Sequence, residues 1–245
     1  MKRLIAIICL ALGLNLAAQA QIQSYAWTGT LGKSTSIRLE FQRNSDNILS
    51  GQMTYYRKNG QVAKIPVKGY YYPSQDKNSP DMVTLSEYDK RKECGHIFLL
   101  LRGMTIQPDS KWHLNDKEML LSATKPVEMK GGPFFVSAKG DEVTGEYGFT
   151  YDSGNSMMPE YGGYVSLQYE DGVVTYSMNQ VTPNIAETEG AASLVGNAFT
   201  GKESNFKFRC RVYKDFLYVI RTNPEDGMVE NFGAHASLEG IYLRH

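Results

Sequence analysis

Hydrophobic and polar residues alternate with a period of two along most of this 245-residue chain, whereas the helical period of 3.6 is rare. In segment 37–42, Ile, Leu and Phe alternate with Arg, Glu and Gln, which predicts a half-buried strand whose polar side chains face water. Similar runs occupy 52–56, 62–67, 82–85, 97–101, 119–123, 143–151, 165–169, 173–178, 206–212, 216–220 and 238–243. The pattern predicts an all-β protein of antiparallel sheets, folded as barrels or sandwiches, with a lipocalin-like up-and-down meander as one form.

Turn signals separate these runs. Asn59-Gly60 and Asp171-Gly172 each join two runs, and both pairs predict type I′ hairpins, because that turn needs a positive φ at both central residues. One stretch departs from this composition, since Ala and Glu gather over Ile185–Ser193. That composition predicts a short helical turn.

A passage that contains proline and glycine begins at Thr124-Lys125-Pro126 and continues to Gly131-Gly132-Pro133. Such passages are typical of connections between modules. We therefore expect an N-terminal antiparallel β module at 21–125 and a C-terminal one at 126–245, after a separate segment at 1–20.

The first twenty residues have the three parts of a cleavable secretory signal peptide. Lys2 and Arg3 are the basic part, 4–16 is the apolar part, and Ala18-Gln19-Ala20 is the small-x-small cleavage site. The apolar run is shorter than the roughly eighteen residues of a spanning helix, which disfavours a membrane anchor. The bulky residue before Cys9 disfavours lipoprotein processing. The sequence thus predicts export, to the periplasm or as a secreted protein.

Charge disfavours two classes of partner. Removal of Lys2 and Arg3 lowers the basic residues from 26 to 24, against 26 acidic ones, for a formal charge of −2. The longest basic block after the signal is Lys90-Arg91-Lys92. Nucleic-acid binding and electrostatic membrane docking need a clustered basic face, so neither is expected. The mature sequence also predicts no membrane span.

Loose motifs in both modules resemble those of known exported proteins. The first module carries Gly29-Thr30-Leu31-Gly32, Gly51 followed by Tyr55-Tyr56, Gly69-Tyr70 and Leu85-Ser86-Glu87. This succession resembles an uncharacterised β-rich module of exported proteins from Gram-negative, Bacteroides-like bacteria. The second module carries Asn184-Ile185-Ala186, the cysteine-bearing run 206–210, Phe232-Gly233 and Gly240-Ile241-Tyr242. It is similar to another such module, some relatives of which are lysozyme-inhibitor-like.

The resemblance implies a small binding or inhibitory β domain without an established activity. The chain departs from the second pattern at Glu230-Asn231, where the family has Cys-Gly before Phe232-Gly233. The family's local disulfide therefore cannot form here.

Signal removal leaves Cys94 and Cys210 as the cysteines of the mature chain. In an oxidising compartment such a pair is a disulfide candidate. The closed loop would exceed a hundred residues, and the chain-entropy argument gives it roughly 4 to 5 kcal/mol of stabilisation. The alternative is two buried thiols on separate strands, since free cysteine packs like a small hydrophobic residue.

The sequence lacks the motifs of common catalytic sites. It has no Gly-x-Ser-x-Gly elbow, P-loop or dinucleotide fingerprint, and no histidine pair at a zinc-binding spacing. Cys94-Gly95-His96 brings a thiol near an imidazole without a third orienting group. Glu87 adjoins a charged turn, and 76–81 offers oxygen ligands without EF-hand spacing. We therefore predict a chain that is not an enzyme and that has no catalytic residue, metal site or cofactor.

Tyrosines give the one positive indication of a ligand. Tyr70, Tyr71 and Tyr72 place rings on both faces of one predicted strand, and Tyr55 and Tyr56 belong to its predicted neighbour. Partly exposed tyrosines can stack on sugars or contact a protein partner, although tyrosine also lines sheets that bind no ligand. These five are the predicted ligand-binding residues.

The sequence favours an exported, non-catalytic binding protein for a protein, glycan or small molecule. One subtype is an inhibitor of a secreted hydrolase such as lysozyme, acting through an exposed loop such as 223–227. The alternative is a glycan-active hydrolase whose two carboxylates converge only in the folded chain. A third hypothesis is a subunit of a surface assembly that adds a strand to a sheet edge.

Overall fold

The computed structural model describes residues 22–90, 92–151, 161–181, 184–223, 232 and 236–245. These residues form β-strands and one short 3-10 helix, and no α-helix occurs among them. The strands build two antiparallel barrel modules, one closed and one nearly closed. This confirms the all-β prediction and selects barrels over sandwiches. In the same described part, no helix is long and apolar enough to cross a membrane.

The described residues contain seventeen strands. In chain order they are β1 Gln23–Leu31, β2 Thr35–Arg43, β3 Ile48–Tyr56, β4 Val62–Tyr72, β5 Asp81–Asp89, β6 Lys92–Arg102, β7 Thr105–Ile106, β8 Lys111–Leu114, β9 Lys117–Pro126, β10 Gly145–Tyr151, β11 Tyr161–Glu170, β12 Val173–Val181, β13 Ile185–Ser193, β14 Ala198–Glu203, β15 Phe206–Val212, β16 Phe216–Arg221 and β17 Gly240–Arg244. The 3-10 helix is Gly140–Val143.

The chain divides into two compact units. The first contains the described residues up to Leu85, with Phe98–Lys111 and Met119–Gly132. The second contains Ser86–Ile97, Trp112–Glu118 and Pro133–His245. The module boundary expected between residues 125 and 126 stays a prediction.

The first barrel begins with a meander of four strands, β1 to β4, in antiparallel register. Trp27 lies opposite Leu39, and Leu39 lies opposite Met53, so the three side chains share one face. Each is at most 1% exposed, which places that face in the core. Strand β1 also pairs with β9, where Leu31 lies opposite Leu121, and the sheet thereby returns to its first strand.

Aromatic rings fill the core of the first barrel. Phe41 packs against Tyr25 at 5.1 Å and against Trp27 at 5.6 Å between ring centroids. The indole Nε1 of Trp27 donates a 2.8 Å hydrogen bond to the carbonyl of Met104. Gly51 lies opposite Phe41, and a Cβ at this position would come within 2.5 Å of the Phe41 Cβ. Only glycine therefore fits at this close approach of strands.

The second barrel consists of β10 to β17. Strands β10 to β13 are paired in sequence, as are β14 to β17, and β10 also pairs with β17. Its interior is filled by apolar side chains, and Tyr176 stacks on Phe199 at 5.4 Å between centroids. A barrel of about eight strands has an interior of the size that side chains can fill.

The two predicted hairpin turns have different outcomes. Asp171 and Gly172 have φ values of 47° and 87°, and Glu170 pairs with Val173, so the two-residue turn with both φ angles positive is confirmed. The type I′ prediction at Asn59-Gly60 is wrong, because only the glycine has a positive φ. The loop spans five residues, 57–61, and the Asn59 side chain accepts the Gln61 N–H at 3.1 Å.

The helical turn predicted over Ile185–Ser193 is also wrong, because this segment is strand β13. Ala186 and Thr188 face the core, while the glutamates that follow each of them are exposed. This period of two outweighs the helical preference of Ala and Glu, since all nine residues of β13 pair with β12.

Candidate functional site

The five predicted ligand-binding tyrosines lie at two places on the β3–β4 hairpin. Tyr55 is opposite Ala63, and Tyr56 follows it next to the connecting loop. Tyr70 is opposite Ile48, at the far end of β4 from Ala63. At about 3.3 Å per residue along β4, positions 63 and 70 are about 23 Å apart. The two groups of tyrosines therefore do not form one platform.

Tyr71 belongs to the core and not to the surface. Its side chain is 6% exposed, its hydroxyl donates a hydrogen bond to the Asp81 carboxylate, and the Arg43 guanidinium lies 3.8 Å from the ring centroid. Burial, followed by the hydrogen bond to Asp81, raises the pKa of Tyr71 well above its ordinary value. Of the five predicted tyrosines, Tyr71 therefore has a structural role.

Tyr70 and Tyr72 form the part of the set that faces outward together. They share one face of β4, and their ring centroids are 6.3 Å apart with an interplanar angle of 38°. Tyr72 is 45% exposed, and Tyr70 is half-buried beside it. We call these two residues the tyrosine pair.

The loop that follows the tyrosine pair, 73–80, is organised by its own side chains. The Asp76 carboxylate accepts the Asn78 N–H at 3.0 Å and the Ser79 hydroxyl at 3.0 Å. The hydrogen bond from Asn78, and then that from Ser79, hold the pKa of Asp76 below its ordinary value. Asp81 accepts the Ser74 N–H at 2.8 Å. Both carboxylates thus order the loop, and no described group of three or more His, Cys, Asp or Glu residues is arranged to hold a metal ion.

A second polar cluster lies on β5, β6 and β8. Nδ1 of His96 is 3.2 Å from Oε1 of Glu93 and 3.5 Å from Oγ of Ser86. The His96 ring stacks on that of His113, with centroids 4.8 Å apart. In the sequence, His96 is close to Cys94 but ten residues from Ser86. Ser86 contacts His96 only once the β5–β6 hairpin is folded.

The cluster does not have the geometry of a nucleophile relay. In such a relay the hydroxyl and the carboxylate use opposite ring nitrogens of the histidine, whereas Ser86 and Glu93 both approach Nδ1 of His96. Burial lowers the pKa of His96. Burial also raises the pKa of Glu93, against the opposing effects of Ser86 and His113. Both shifts favour the uncharged forms, which suits a buried hydrogen-bonded cluster.

Glu87 is buried, although it adjoins a charged turn. It is 2% exposed, and its Oε2 accepts the indole N–H of Trp112 at 2.8 Å. A Cβ at Gly95 would come within 2.5 Å of the Trp112 Nε1 and 2.6 Å of the Glu87 Oε2. Glycine at 95 therefore makes room for this buried hydrogen bond.

Cys94 and Cys210 are free thiols, so the disulfide candidate is not formed in this structure. Cys210 is completely buried among the apolar side chains of the second barrel, and burial raises its pKa. Burial, and then the charge of Glu87, raise the pKa of Cys94. Both thiols are thereby kept in the protonated form, which is a poor nucleophile.

Two sequence predictions lie outside the described residues. They are the signal peptide at 1–20 and residues 224–227 of the loop considered for an inhibitor.

No family model and no curated protein matches the chain. Among solved structures, the chain is similar to a protein of unknown function from the DUF3598 family of Nostoc punctiforme. The two share 11% sequence identity with a TM-score of 0.28, over 83% of this chain and 79% of that chain. A likeness of this size carries no conclusion about fold or function.

Proposed function

We propose that this chain is an exported, non-catalytic binding protein that contacts a glycan through the tyrosine pair and the adjoining loop 73–80. The observation that carries the proposal is the shared outward face of Tyr70 and Tyr72, with rings 6.3 Å apart and Tyr72 45% exposed. Aromatic faces of this kind stack on the apolar faces of sugar rings.

The polar part of the proposed surface supports a glycan. Asp76 and Asn78 are exposed on the loop after the tyrosine pair, and the hydrogen bonds of Asp76 order that loop before any ligand arrives. A surface that is ordered in advance loses less conformational entropy on binding. The area of two rings is also small compared with the roughly 800 Å² that each partner buries in a stable protein complex.

The test is a glycan array with the mature chain, followed by calorimetric titration of the best oligosaccharide. Tyr72→Ala removes the more exposed ring. Tyr56→Ala is the matched control, because Tyr56 is 42% exposed at the other end of the hairpin. We expect Tyr72→Ala to weaken binding about tenfold, equivalent to about 1.4 kcal/mol, and Tyr56→Ala to leave it unchanged.

Both variants should keep the thermal midpoint of the parent chain, since each removes an exposed ring. An array without a bound glycan would contradict the proposal. Equal losses in the two variants would contradict it as well.

A further inference from the structure

Strands β13 and β14 are neighbours in the sheet of the second barrel and form an antiparallel hairpin. Across its turn, the N–H groups and carbonyls of Val195 and Ala198 exchange hydrogen bonds of 2.8 and 3.1 Å. Further along, the Tyr176 hydroxyl would be 2.7 Å from a Cβ at Gly190 and 2.7 Å from one at Gly201. These two glycines therefore lie opposite one another, on the side of the hairpin that faces the core.

The outer face of the hairpin carries an acid beside a base. Glu189 and Lys202 adjoin the two glycines, and their side chains project side by side on the face opposite to the core, where both are exposed. Lys202 is also directly opposite Lys207 of β15, which is exposed as well. Like charges in directly opposite positions are destabilising. The two lysines therefore favour the approach of an additional carboxylate.

Exposed apolar side chains lie at both ends of β13. Ile185, its first residue, is 56% exposed, and Val195, in the turn after it, is 78% exposed. These are the two highest exposures among the large hydrophobic side chains of the described residues. Burial of such side chains favours association. We call the surface formed by Ile185, Glu189, Val195 and Lys202 the β13–β14 face.

We propose that the β13–β14 face is the interface of a twofold-symmetric homodimer, in which Glu189 of each copy pairs with Lys202 of the other. The acidic strand and the basic strand lie side by side, so a twofold axis along their boundary exchanges them. Each carboxylate then faces the ammonium group of the second copy, and Val195 lies near its own counterpart. Isologous contacts of this kind are the commonest in soluble oligomers. The inference goes beyond the proposed function, since it does not involve the tyrosine pair.

The charge pattern favours a second copy over a partner of one predominant charge. Exposed Glu187 and Glu189 on β13 are balanced by exposed Lys202 and Lys207 on the next two strands. A strongly basic partner would be repelled by the lysines, and a strongly acidic one by the glutamates. A second copy carries the complementary order of charges by symmetry.

Sedimentation velocity of the mature chain in low salt, from about 5 µM to about 0.5 mM, measures the association. We expect a dimer that increases with protein concentration and decreases in about 0.5 M salt, which screens exposed charges. Glu189→Lys and Lys202→Glu should each weaken dimerisation about tenfold or more, because each turns both ion pairs into like-charge contacts. The two variants mixed together should dimerise with one another, and the double variant with itself, because both arrangements restore opposite charges.

Val195→Asp tests the apolar part of the interface. Val62→Asp is its matched control, because Val62 is 53% exposed on the first barrel. We expect Val195→Asp to weaken dimerisation about tenfold and Val62→Asp to leave it within about twofold. Tyr72→Ala should leave dimerisation unchanged, which keeps this test separate from the glycan test.

Three results would overturn the proposal. The first is a chain that stays monomeric at about 0.5 mM in low salt, which would rule out a second copy as the occupant. The second is a dimer that both single charge reversals leave intact, because the interface would then lie elsewhere. The third is a double variant that keeps the thermal midpoint of the parent chain and yet stays monomeric, because the two charges would then not be partners.

Discussion

The carboxylate of Glu40 is buried on β2 with its partner, the guanidinium of Arg38. Glu40 is 3% exposed, and its Oε1 accepts hydrogen bonds from Arg38 at 2.8 Å and from the N–H groups of Lys130 and Gly131 at 2.6 and 3.3 Å. Burial alone would raise the pKa of Glu40, but these hydrogen bonds outweigh it and hold the pKa below its ordinary value. Ionised Glu40 therefore stabilises the fold above the unfolded-state pKa of about 4.3, and this contribution is lost as the pH falls through the folded-state pKa.

We expect Glu40→Gln to lower the free energy of unfolding by about 3 kcal/mol at pH 7, because Arg38 remains buried without its charged partner. The difference from the parent chain should shrink as the pH falls through the folded-state pKa, where Glu40 itself becomes neutral. Urea unfolding of both chains at neutral and acidic pH measures this difference in the free energy of unfolding. Glu187→Gln, on an exposed acid, is the control and should change stability by no more than about 0.5 kcal/mol. A difference that stays constant with pH would contradict the ionisation argument.

Strand β13 shows how pairing acts at the scale of an element. Its core-facing residues begin with Ala186 and its exposed ones include Glu187, so the two neighbours have opposite surroundings. We expect Ala186→Glu to destabilise the chain by about 3 kcal/mol or more, because it buries an acid among apolar side chains. Glu187→Ala should change stability by less than about 0.5 kcal/mol. Urea unfolding of the pair tests the strand, since similar effects of both substitutions would contradict the alternation.

Most strands could be predicted from alternation. The prediction that the polar side chains of segment 37–42 face water is wrong, because Arg38, Glu40 and Gln42 are buried on β2. Strands β1, β7, β8 and β14 are not among the predicted runs. Strand β13 was missed because Ala and Glu are strong helix formers, while the pairing with β12 that overrides this preference is not local. The prediction of a type I′ turn at Asn59-Gly60 was wrong for a related reason. The dipeptide is compatible with several loops, and the pairing of Tyr56 with Val62 sets the longer one.

At the scale of the whole molecule, barrel closure and the candidate sites depend on contacts that are distant in sequence. Closure of the first barrel rests on the pairing of β1 with β9, such as Leu31 with Leu121. Alternation within either strand carries no information about that partner. The tyrosines could be found from composition, but their separation follows from the β3–β4 register, which brings Tyr55 opposite Ala63 and not beside Tyr70.

The last prediction concerns the oxidation state of the two cysteines, Cys94 and Cys210. Cys210 is fully buried and Cys94 is half-buried, and both are free. We expect the mature chain, purified without reductant, to show two thiols to an aromatic disulfide reagent in denaturant. In the native state Cys94 should react slowly and Cys210 only on unfolding, because burial favours the protonated thiol.

Reductant should leave the free energy of unfolding within about 0.5 kcal/mol, since a disulfide across so long a loop would contribute roughly 4 to 5 kcal/mol. Cys94→Ser is the control, because it should remove one thiol from the denatured count, abolish the slow native reaction and leave Cys210 reactive only on unfolding. An intact mass that rises by two hydrogens on reduction would contradict the free-thiol structure. The cysteines would then pair after export, which requires their α-carbons to come within roughly 7 Å of one another.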